Sequence, residues 1–112
     1  MNEGSPDFSD AMIELHASFA QRAAQQREQL LVLTKEPAAI SDNLAKIQRL
    51  CHSLHGSAAI FSQPGIGKQA ERIELLCIEL GGDVRTDDRR PRLLAALVAD
   101  LCRGIDAIGS NS

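Results

Sequence analysis

Apolar residues recur at spacings of three and four in four separate stretches of this 112-residue chain. That is the pattern of helices that each bury one stripe. In the first stretch Phe8, Met12, Leu15 and Phe19 keep the spacing, and Ala23, Leu30 and Leu33 extend it. Ser5-Pro6-Asp7 supplies start signals and Lys35-Glu36-Pro37 marks the stop. The middle of this helix, Gln21 to Gln29, is polar on most sides and is expected to project past its neighbours or to pack weakly. The second stretch is the clearest, with Leu44, Ile47, Cys51, Leu54, Ala58 and Phe61 in strict alternation of three and four. Ser41, Asp42 and Asn43 fit caps or first-turn positions. Pro37 serves equally as a start, because Ile40 lies on the same stripe. Ser62-Gln63-Pro64-Gly65 ends the helix.

The third stretch carries Ile66, Ala70, Ile73, Cys77 and Leu80 and stops at Gly81-Gly82. A polar link, Asp83 to Arg90, leads to the fourth, which is expected to start near Asp87 or Asp88 with Pro91 in its first turn. Its stripe is Leu94, Leu97, Leu101, Ile105 and Ile108. No strand-like alternation and no internal repeat interrupts the series. Four amphipathic helices with short connections predict an all-α fold, an antiparallel up-down four-helix bundle. It would be a single domain over residues 1–112, with its core between about residues 8 and 108.

Composition sharpens this picture. With no Trp or Tyr and three Phe, the core must be built from Leu, Ile and Ala. A net charge of −3 argues against a nucleic-acid partner. The cysteines, Cys51, Cys77 and Cys102, are odd in number and lack C-x-x-C spacing. They fit free buried thiols in a reducing cytoplasm, the expected compartment. No apolar run approaches the ~18 residues of a membrane span, so no membrane insertion is expected. The start, Met1 to Asp7, lacks the basic and apolar regions of a signal peptide. A monomer is the default expectation.

The candidate chemistry lies on the second helix, in His52-Ser53-Leu54-His55-Gly56-Ser57-Ala58-Ala59. At 100° per residue, His52 stands roughly 130° from the centre of the apolar stripe and should face solvent, while His55 stands roughly 70° away, on the flank. Ala45, Gln48, Arg49, Gly56 and Ala59 share the His52 face, and three of these five are Ala or Gly. Glycine inside a helix costs about 1 kcal/mol relative to alanine. A glycine one turn after an exposed imidazole therefore points to a partner that must come close. A neutral imidazole is a competent nucleophile near pH 7. The chain has no Gly-rich phosphate loop and no carboxylate cluster suited to Mg²⁺, so use of ATP by this chain itself is not expected. His52 and His55 are three apart and could share a metal ion, but two ligands do not complete a site and none is expected.

These residues resemble a known family. His52-Ser53-Leu54-His55-Gly56-Ser57-Ala58 is similar to the His-x-Leu-Lys-Gly-[Ser/Ala]-[Ser/Ala] signature of histidine-containing phosphotransfer (HPt) domains. Gly67-Lys68-Gln69-Ala70-Glu71-Arg72-Ile73-Glu74 is similar to that family's third helix, which tends to read Ala-x-x-Leu-Glu. The resemblance implies a phosphoryl carrier in a two-component phosphorelay rather than an enzyme with its own ATP or metal site. It makes His52 the phosphoacceptor and Gly56 the glycine that admits a receiver domain. Glu74 falls at a third-helix position that orients the imidazole in some members. Docking is expected on Ala45, Gln48, Arg49, Gly56 and Ala59, with Lys68 as a rim contact. Response-regulator receiver domains are the implied partners, and a hybrid sensor histidine kinase is a further candidate. No cofactor is expected in the chain, the Mg²⁺ belonging to the receiver.

Two positions depart from the signature. Ser62 stands where a Gly often opens the turn after the second helix, and His55 stands where the family carries Lys. That lysine holds phosphoryl oxygens through a fixed charge, whereas an imidazole at its reference pKa of ~6.5 carries only part of one near neutrality. An adjacent phosphoryl dianion favours the protonated ring. His55 is thus expected to stabilise the phosphoryl group, with transfer weakening as pH rises. Glu71 and His16 read as surface residues. The competing reading is a non-phosphorylated helical module that docks a receiver or kinase.

Overall fold

The computed structural model describes residues 8–61, 63–82 and 89–110. They form α1 (Phe8–Thr34), a short 3-10 turn (Pro37–Ala39), α2 (Ile40–Ile60), α3 (Pro64–Gly82) and α4 (Arg90–Ser110). Cross-helix contacts fix the direction of each neighbour. Between α1 and α2, Phe19 stacks near Phe61 with ring centroids 5.3 Å apart, while Gln26 Nε2 donates to Ser53 Oγ and Asn43 Nδ2 donates to the Leu33 carbonyl. As one number rises the other falls, so the pair is antiparallel. Between α2 and α3, His52 meets Glu74 and His55 meets Glu71. Between α3 and α4, Glu79 lies 3.5 Å from Arg90, and the Gln69 side chain reaches Gly104. The chain is an up-down four-helix bundle, and α2 and α3 share its largest interface.

The core consists of the predicted stripes: Phe19, Ala23 and Leu30 from α1, Ile40, Ile47, Cys51, Leu54 and Ala58 from α2, Ile66, Ala70, Ile73, Cys77 and Leu80 from α3, and Leu94, Leu101 and Ile105 from α4. Each large aliphatic side chain fully buried here contributes about 1.5–3 kcal/mol. Val98, Cys102 and Leu76 join them, while Leu97, Ile108, Leu44 and Phe61 sit at the margin. The stripe of α4 is therefore rotated toward Val98 and Cys102, because α4 packs against both α1 and α3 and must bury a wider arc than one row.

Three local expectations change. The polar middle of α1 is not its projecting part. Ala23 is buried, Gln26 reaches Ser53, and Arg27 ties α1 to α4 through Asp106, with Nε 2.7 Å from Oδ1 and Nη2 donating to Oδ2 at 3.1 Å. That carboxylate pushes the Arg27 guanidinium further up from its already high ordinary value. The apolar part left exposed is the start of α1, where Met12, Ile13 and Leu15 are exposed. Its stripe runs on beyond the point where Phe19 meets the end of α2.

The second change is at the start of α2, whose cap residue Ala39 has no side-chain cap. Asn43 instead serves the preceding helix, donating to the Leu33 carbonyl at 3.2 Å and satisfying a C-terminal orphan of α1. Third, Gly81 and Gly82 are the last residues of α3 and lie within it. The start signals Ser5-Pro6-Asp7, the turn residue Ser62 and the proposed starts Asp87 and Asp88 fall outside the described residues. Among the described residues no helix is long and apolar enough to cross a membrane.

Cys51, Cys77 and Cys102 are free and buried. Burial disfavours the thiolate and pushes the Cys51 and Cys77 thiols up to about 12 from an ordinary value of 9.0. A group whose acid form is favoured in the fold contributes stability that is complete below its unfolded value and is lost as pH rises through the folded one. Urea unfolding should accordingly show stability falling between about pH 9 and 12, and a Cys51→Ala/Cys77→Ala double variant should lose less over the same interval.

Candidate functional site

The site grows out of the α2–α3 register. Helical periodicity sets His52 outside the apolar stripe, and its side chain is 75% exposed. On the facing helix Glu74 stands beside the buried stripe formed by Ile73 and Cys77, with its side chain only 16% exposed. Its Oε2 lies 2.7 Å from His52 Nδ1. An ionised carboxylate only accepts hydrogen bonds, so Nδ1 carries the proton and donates it. The neutral ring then keeps its lone pair on Nε2, the nitrogen turned away from Glu74. One contact between two helices thus favours one tautomer and leaves the lone pair on the nitrogen away from Glu74.

His55 lies one turn further along α2 and leans onto α3. Its Nε2 is 3.6 Å from Glu71 Oε2, and its Nδ1 is 3.9 Å from Glu74 Oε1. Glu71, read from sequence as a solvated surface residue, is therefore part of the cluster. No sequence signal ranked it above its neighbours, because its role depends on which α2 residue faces it.

Gly56 has nothing within 4 Å of where a Cβ would stand. The fold does not require glycine there, and its conformational cost has no packing return inside the chain. Gly67 differs, since a Cβ there would sit 3.5 Å from Ala58 Cβ and 3.9 Å from the His55 ring. It belongs to the close approach of α2 to α3.

The remaining predicted residues divide into two groups. Ala45, Arg49 and Ala59 are exposed and Gln48 is half-buried, all on the arc of α2 that carries His52 and Gly56. Arg49 also borders the groove between α1 and α2 with Lys46 and Ser53. Lys68 is exposed and lines the groove between α3 and α4 together with Glu71, Arg72 and Leu75. Besides Glu71, two exposed aliphatics near these residues were not singled out by the sequence. Ile60, 76% exposed, follows Gly56 by one turn on the same face, and Ile78 is exposed one turn beyond Glu74. Both are aliphatics lying off their helix's buried stripe, which is the signal that could have found them. His16 is exposed on α1. Among the described residues no group of three or more His, Cys, Asp or Glu is arranged to hold a metal ion.

The site is thus an exposed imidazole on a four-helix bundle, in contact with a half-buried carboxylate and beside an open stretch of helix face. The family model for the Hpt domain matches residues 14–107, and the chain belongs to that family. Its members are phosphotransfer carriers that work with receiver domains in phosphorelays. None of the curated proteins and none of the solved structures compared with the chain matches it.

Because the space around Gly56 is open, Gly56→Ala should stabilise the protein by about 0.5–1 kcal/mol through helix propensity alone. Urea unfolding of the variant against the native protein measures this. A loss of stability would mean that glycine serves the fold.

Proposed function

We propose that His52 is the phosphoacceptor, taking a phosphoryl group on Nε2 from the aspartyl phosphate of one receiver domain and passing it to the aspartate of another. The 2.7 Å contact of His52 Nδ1 with Glu74 carries this reading. In the forward step the Nε2 lone pair attacks phosphorus and the bond to the aspartate oxygen breaks, releasing the carboxylate. The proton on Nδ1 stays in place. A ring bearing N–P on one side and N–H on the other gains positive charge, and Glu74 faces that charge. The return step reverses these changes toward a second carboxylate. Phosphoryl transfer passes through a loose, highly charged transition state, so positioning and electrostatics supply most of the acceleration. This chain contributes the oriented nucleophile and a low surface, and the receiver contributes the Mg²⁺ and its acidic ligands.

The docking surface in this reading is centred on Gly56, with Ala45, Gln48, Arg49 and Ala59 around it and Ile60 and Ile78 as apolar contacts. Lys68, on the other shoulder of α3, lies outside this patch. A hybrid kinase would present the same receiver chemistry. The alternative, a docking module that takes no phosphoryl group, draws on the replacement of the family's lysine by His55.

The deciding experiment is incubation of the native protein and His52→Gln with a phosphorylated receiver and Mg²⁺. Acid-labile, alkali-stable label on the native protein and none on the variant is expected. No label from receivers active on a known carrier would favour the docking module. On the docking side, Gly56→Gln should keep the fold but slow transfer by about tenfold or more, the cost of roughly 1.4 kcal/mol in the encounter. Transfer kinetics and circular dichroism together measure this.

A further inference from the structure

Glu74 has two carboxylate oxygens, and they face two different imidazoles. Oε2 accepts from His52 Nδ1 at 2.7 Å, while Oε1 lies 3.9 Å from His55 Nδ1. The other nitrogen of His55 lies 3.6 Å from Glu71 Oε2. The four side chains therefore alternate imidazole, carboxylate, imidazole, carboxylate across one helix interface. Exposure follows the same series, with His52 at 75%, Glu74 at 16%, His55 at 39% and Glu71 at 53%. The His55 ring lies along α3, near enough to Gly67 that a Cβ there would be 3.9 Å from its Cδ2. It is aimed at the carboxylates of α3, not outward beside Nε2 of His52.

Resting on the assignment of His52 as phosphoacceptor, we propose that His55 is a positioning residue that holds Glu74 from the side away from His52, and that Glu71 anchors it. This differs from a cation reaching the phosphoryl oxygens, which is what the lysine at this place in the family implies. A glutamate held at one oxygen alone keeps rotational freedom about its side-chain bonds, and confining it costs entropy. A second polar neighbour at Oε1 narrows that freedom. It keeps Oε2 on Nδ1 and thereby keeps the His52 proton on the nitrogen that does not react. With the ring protonated both nitrogens are donors, Nδ1 toward Glu74 and Nε2 toward Glu71, so the ring stays down on α3. The groups facing His55 are Glu71 and Glu74 from α3, with His52 one turn away on its own helix.

The test uses the full chain with ¹⁵N-labelled histidine, comparing the native protein with Glu71→Gln and His55→Ala. One measurement is the His52 tautomer, from ring-nitrogen shifts and their proton couplings at fixed pH. The other is the transfer rate from a phosphorylated receiver. Both variants are expected to lower the ratio of Nδ1–H to Nε2–H on His52 by at least about twofold and to slow transfer by about tenfold, the scale of losing an outer orienting partner. Receiver affinity should be unchanged. His55→Gln, which can still donate to Glu74, should recover part of both effects. An unmoved tautomer ratio in both variants would overturn the proposal, whatever happens to the rate. Labelling of the native protein separates the two readings: label with an unmoved tautomer sinks only the positioning role, and no label on the native protein sinks both. Thermal unfolding identifies a variant that has lost its fold, and Glu71→Gln, an exposed isosteric change, keeps the test decisive in that event.

Discussion

Everything at this site depends on the register in which α2 lies against α3. The two helices approach closely because small side chains line their contact: Ala58 stands 3.5 Å from where a Cβ of Gly67 would be, and Cys51, Ala70 and Cys77 fill the layers beneath. Close-packed interiors of this kind do not slide, since a shift by one turn would open voids on one side and force overlap on the other. With the register fixed, Glu74 stands opposite His52 and Glu71 opposite His55. The contact between His52 and Glu74 is thus a consequence of core packing one layer below it. A carboxylate at the edge of that core, largely shielded from water, is also held more strictly than one on an open surface.

In the proposed function, the same construction lets a small domain take part in phosphoryl chemistry without a catalytic cleft. A rigid bundle needs only to display one imidazole in the right tautomer and to keep large side chains away from it. The two requirements are met by different means. Orientation comes from a neighbouring helix through Glu74, and clearance comes from composition, in Gly56, Ala45 and Ala59 on α2 itself. Gly56 shows the clearance most directly, because among the described residues no packing neighbour lies within 4 Å of where its Cβ would stand. Ile60 and Ile78 are exposed on α2 and α3.

Departures from the sequence expectations share a physical origin. The core stripes of α2 and α3 could be read from periodicity because their buried residues keep spacings of three and four along each helix. The stripe of α4 was read too narrowly, since Val98 and Cys102 become buried only when a helix has neighbours on two sides. The middle of α1 looked weakly packed because its contacts are polar, and hydropathy does not register an arginine that reaches Asp106 on another helix. Asn43 looked like a cap for its own helix, yet it donates to the end of α1, a choice made by the path of the chain between them. Glu71 had the residue type for a role but no local sign of one.

The sequence by itself determined the helices, the faces they bury, and the angular placement of His52 and Gly56 on solvent. These are properties of a single helix, set by 100° of rotation per residue and by the partition of apolar side chains away from water. The motif around His52 likewise lies within one helix and was legible for that reason. Only the tertiary structure decided which α3 residue meets which histidine, that the two oxygens of Glu74 face different imidazoles, and that Glu71 joins them. Those outcomes depend on the register between helices, which is set by how small residues interlock across an interface, and no periodicity along one chain segment encodes it.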